Sequence, residues 1–145
     1  MAGARHGGLT AGTGWMFLSA ALFGYFGFFI GLKATTADGT VVWFFALLLW
    51  TLRLAAIGFL LSAVFSLTAP LVGEGLYAVI GLASAAAFVT IGVADVLDTQ
   101  RMAALPPLLA FFFAAWNGLA SFSGLRMVVA RTRSRRDDGA VFGEP

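Results

Sequence analysis

Few residues of this chain are of a type that does chemistry, and the most informative is Arg53. Between Val41 and Gly73 it is the only charged residue in an apolar run. A guanidinium at such depth costs at least about 2.5–3.5 kcal/mol to insert into a bilayer and usually faces a bundle interior, a partner or water. Three roles follow: a structural arginine held by backbone carbonyls, a contact with another subunit, or one wall of an anion pathway. Asn117, Ser84 and Ser121 are the polar side chains whose positions could place them near its depth. The carboxylates match it poorly. Glu74, between Gly73 and Gly75, is expected in the first turn of its helix, where a carboxylate favours the positive end of the macrodipole. Asp95 lies about 31 Å further along if that helix is continuous. Arg53 falls between the two levels, so Asn117, Ser84, carbonyls or water are its expected internal partners.

Asp95, Asp98 and Arg101 are spaced by three, as on one face of a solvated helix rim. They fall short of the roughly 6 to 8 oxygen ligands of a calcium site. Cysteine is absent and His6 is the single histidine, so disulfides, thiol catalysis, bis-histidine haem and most zinc sites have no ligands. No cofactor, metal or catalytic set is expected.

The elements that position these residues follow from composition. Of 145 residues, 60% are hydrophobic and 11% charged, and the mean hydropathy is +0.92; a soluble domain has about 45–50% apolar and about 25% charged residues. A crossing of the roughly 30 Å hydrocarbon core takes about 20 apolar residues in a helix. Four stretches qualify, at about 14–32, 41–66, 71–95 and 105–129, within a single domain over 14–130. A short tail, 1–13, precedes it, and 131–145 reads as a basic, then acidic, unstructured end. The first span could serve as a secretory signal, but its 19 apolar residues exceed the typical h-region of about 7 to 15, which favours a retained helix.

The fold class expected is all-α: a polytopic four-transmembrane-helix bundle. Five of the nine Lys and Arg residues lie between Arg126 and Arg136, on the side that also holds Arg5. Cytoplasmic flanks carry such an excess, so both termini are expected in the cytoplasm, and the Ala, Gly and Arg richness suggests a bacterial inner membrane. Arg131, Arg133, Arg135 and Arg136 would then lie against anionic lipid, each gaining about 1 kcal/mol. Without a folded reader or stacking aromatics they do not predict nucleic-acid binding.

Small residues mark close helix packing: Ala20, Gly24, Gly27 and Gly31 in the first span, Ala114 and Gly118 in the fourth. Trp15, Trp43 and Tyr77 sit near span ends, as interfacial anchors do, while Trp50 and Trp116 lie deeper. The reading these features favour is a non-catalytic accessory or assembly subunit of a membrane complex, associating with other membrane subunits or with itself. The alternative is a small oligomeric channel or transporter that passes an anion or polar solute along Arg53, Asn117 and Ser121.

Overall fold

The computed structural model describes residues 11–29, 43–97 and 107–141, and every element within them is helical. Helix α1, Ala11–Gly24, runs on as a π-helical segment, Tyr25–Phe29; α2 is Trp43–Thr68, α3 is Pro70–Leu97 and α4 is Pro107–Val141. Each helix, with the π segment counted into the first, holds an apolar stretch of 18 to 28 residues. That length and composition make the chain a small multi-pass integral membrane protein. The predicted spans fall on these helices. Gly31, Asp98 and Arg101 lie outside the described residues.

In a bilayer the lipid is as apolar as the helix faces, so packing and polar contacts, not water exclusion, must hold helices together. The side-chain pairs run in opposite senses on successive helices, which makes the bundle up-down-up-down. Thr13 meets Ser66 and Gly24 faces Ala56 between α1 and α2. Phe59 meets Tyr77 between α2 and α3, and Gly81 faces Asn117 while Gly124 faces Glu74 between α3 and α4. One end therefore carries the start of α1, the α2–α3 turn and the long end of α4. That turn is tight: Ala69 N–H donates to Phe65 O at 2.7 Å, and Pro70 opens α3 where a missing N–H costs little.

Along the axis each helix contributes one phenylalanine. The Phe23 ring lies 5.6 Å from Phe59, 5.9 Å from Phe88 and 5.3 Å from Phe113, and all four are at most 1% exposed. The interior is filled at this level. Helices α1 and α4 meet through large rings, Phe26 with Phe113 and Trp15 stacked on Trp116. Helices α3 and α4 meet backbone to backbone. A Cβ on Gly81 would lie 2.8 Å from Asn117 O and Ser121 N, and one on Gly124 would lie 2.9 Å from Glu74 O and Ala78 N.

Two expectations change here. Gly118 meets nothing within 4 Å, because the α4 face toward α3 follows Asn117, Ser121 and Gly124, and Gly118 is turned about 100° from Asn117. The basic segment is not an unstructured end: α4 continues through it to Val141. A helix already nucleated in the membrane adds residues without a new nucleation cost, and arginine is a good helix former.

Gly81→Leu and Gly124→Leu are expected each to destabilise the bundle by about 1–3 kcal/mol or more, through overpacking of backbone that cannot yield. Gly118→Ala should be neutral or stabilising by up to about 1 kcal/mol. Thermal unfolding in detergent checks all three.

Candidate functional site

Arg53 emerges from α2 toward the π-helical end of α1. Its Nε donates to the Gly27 carbonyl at 3.0 Å, and its guanidinium lies 5.3 Å from the Phe28 ring centroid and 5.8 Å from that of Trp50. A π turn shifts carbonyls away from their usual partners four residues on, and such turns recur at functional positions. Gly27 allows a close approach here: a Cβ would lie a tight 3.2 Å from both Arg53 N and Cγ. The small-residue motif of the first span thus admits the arginine of the second.

The arginine is half-buried and turned outward. Phe28 and Trp50, which flank it, are 54% and 58% exposed, so they face the surroundings of the bundle. Among the described residues the bond to Gly27 is its one hydrogen bond, leaving the four N–H groups of the Nη atoms open. Its height is close to the middle of the bundle. The pairings of Gly58 with Ile80 and Phe59 with Tyr77 place it level with about residue 84 of α3, whose helix is Pro70–Leu97.

The other polar candidates lie elsewhere. Asn117 is fully buried on the opposite side, against α3, where its Nδ2 donates to Phe113 O at 2.7 Å and its Oδ1 has no hydrogen-bond partner among the described residues. Ser84 is buried on the α3 face, and Ser121 is half-buried with its backbone against Gly81. None of the three bonds Arg53. Ala20 packs against the core and Ala114 is buried within it. Asp95 sits near the far end of α3, about 16 Å from the level of Arg53.

Glu74 lies one turn inside α3, not in its first turn. Its carboxylate is buried and accepts from Arg131 Nε at 2.7 and 2.9 Å. Arg131 thereby clamps α4 to α3 where sequence reasoning gave it to lipid. Its side chain remains 45% exposed, and Arg133 is exposed beyond it. Arg135 and Arg136 continue the helical backbone of α4.

Sequence reasoning missed one polar line. Trp116 Nε1 donates to Ser19 Oγ at 3.2 Å, and Ser19 Oγ lies 3.4 Å from Tyr77 Oη. Tyr77 is 0% exposed, so it is not an interfacial anchor. The signal was present in α3, where Gly73, Glu74, Tyr77, Gly81, Ser84 and Phe88 recur at helical spacing and all are buried. This arrangement joins three helices by donors and acceptors and presents no nucleophile beside a base. Among the described residues no group of His, Asp or Glu could hold a metal ion.

Arg131→Ala leaves the Glu74 carboxylate buried without its cation. The expected cost is about 1–3 kcal/mol, below the 3–5 kcal/mol of a fully buried pair because Arg131 is part exposed. Glu74→Gln in the Arg131→Ala background should recover most of that loss, which a double-mutant cycle on detergent unfolding measures.

No protein-family model matches this chain, and neither curated proteins nor solved structures show a match to it.

Proposed function

We propose that the protein is a non-catalytic accessory or assembly subunit of a complex in a bacterial cytoplasmic membrane, with both termini on the cytoplasmic side. The observation that carries this reading is the direction of Arg53. The mid-height cation points away from the bundle axis, between two exposed aromatic rings, with most of its donors open. A cation that served a solute inside this bundle would face its interior. That interior holds Phe23, Phe59, Phe88 and Phe113 instead. The small residues Ala20, Ala21 and Gly24 beside Arg53's helix support lateral association with another helix.

The orientation rests on the arginines gathered at one end. Arg126, Arg131 and Arg133 lie on the last turns of α4, beside the start of α1 and the α2–α3 turn. Arg126 covers the Phe122 ring at 5.5 Å, and an anionic leaflet favours this end.

Tagged protein extracted gently from its native membrane should carry stoichiometric companion subunits, and purified protein in liposomes should give anion flux no higher than protein-free vesicles. A homo-oligomer without companions, whose anion flux falls in Arg53→Ala, would replace this reading with an oligomeric channel.

A further inference from the structure

Below Arg53, toward the termini, the outer surface between α1 and α2 forms an apolar groove of about 350 Å³ lined by Ala20, Ala21, Gly24, Phe28, Ala56 and Ile57, among others. Four of these are Ala or Gly, so a neighbouring helix could bring its backbone close. Phe28, which lines the groove, has the Arg53 guanidinium 5.3 Å from its ring centroid, and among the described residues the Nη groups of that guanidinium are open. We infer that this groove seats one transmembrane helix of a partner protein whose aspartate or glutamate, level with Arg53, accepts hydrogen bonds from the Nη groups. The inference rests on the subunit reading and names the chemistry of its contact.

Charge complementarity selects this occupant. A planar guanidinium with one edge bare matches a carboxylate bidentately, and near mid-membrane no water competes for it. A lipid phosphate is poorly placed, because Arg53 lies ten residues, about 15 Å, from the Trp43 end of α2. That is roughly the half-thickness of a hydrocarbon core. A second copy of the chain fits no better. Among the described residues of the spans its carboxylates are Glu74 and Asp95, which lie about 15 Å on either side of the level of Arg53, and Glu74 is taken by Arg131. An antiparallel copy would set one Arg53 near the depth of the other.

The test uses the full chain in phosphatidylcholine vesicles with a dilute, labelled Leu/Ala helix of about 22 residues carrying one central Asp. Companion peptides carry Asn or Leu at the centre, or Asp about two turns away. Energy transfer should show about tenfold tighter association for the central-Asp peptide than for the Leu, Asn and displaced-Asp peptides. The preference should vanish in Arg53→Leu. It should also weaken in Ala21→Trp, which fills the groove from an exposed position and leaves both Arg53 and the core intact. Equal affinity for the Asp and Leu peptides, or a preference for Asp that survives Arg53→Leu, overturns the inference. Native companions that stay bound to both variants would also overturn this docking site while leaving the subunit reading in place. Absence of companions from the wild-type protein would remove the subunit reading itself.

Discussion

The ring of Phe23 constrains everything around it. It touches one phenylalanine from each of the other three helices, so the bundle can close no further at that level than the rings allow. Each neighbouring interface then takes the spacing left to it. Helices α1 and α4 stay a ring's width apart, whereas α3 and α4 collapse onto glycines. Interfaces this close need small residues on the touching face, where van der Waals contact between backbones adds to the interhelical polar contacts.

An aromatic axis also decides where polar groups go. Below the phenylalanines Ser19 gathers Trp116 and Tyr77. Ser62 and Thr90 return their hydroxyls to carbonyls four residues back on their own helices, the usual refuge for a hydroxyl where water is absent. The charges are held at the margins: Glu74 with Arg131 at the termini end, Arg53 at the outer edge of the α1–α2 contact. In each case the partner comes from a different helix, so satisfying the polar group also fixes a helix pair.

Span number and type were legible because they depend on apolar length, a property of the linear chain. The depth of Arg53 was legible too: counting residues placed it and Asn117 at one level, and contacts with α3 put both within about a turn of residue 84. Their directions were not legible. An all-round apolar helix has no polar face to announce its orientation, so nothing in α2 told whether Arg53 turns toward Asn117 or toward Gly27. Glycines posed the same difficulty in α4, where the sequence reading singled out Gly118 and it is Gly124 that meets another backbone. Arg131 was misread for a different reason. Its position among basic residues matched a lipid-facing tail, while its true partner, Glu74, is 57 residues away in the chain.

Magnitudes separate the two interhelical charges, Arg53 and Glu74. Inserting Arg53 costs about 2.5–3.5 kcal/mol. One interhelical hydrogen bond returns about 0.6 kcal/mol, and a cation–ring contact runs from about 0.5–1 kcal/mol where exposed to water to about 2 kcal/mol where desolvated. The Gly27 bond and the Phe28 and Trp50 rings therefore offset part of that cost within the chain itself. They do so from one edge and the faces of the guanidinium, which leaves the Nη edge uncommitted. Glu74 contrasts with this, because both its oxygens are bonded within the chain and its carboxylate is buried. Among the described residues one charge is thus closed within the bundle, while the other is held on one edge and keeps its remaining donors open, which is the combination the proposed subunit role would require of a contact made after insertion.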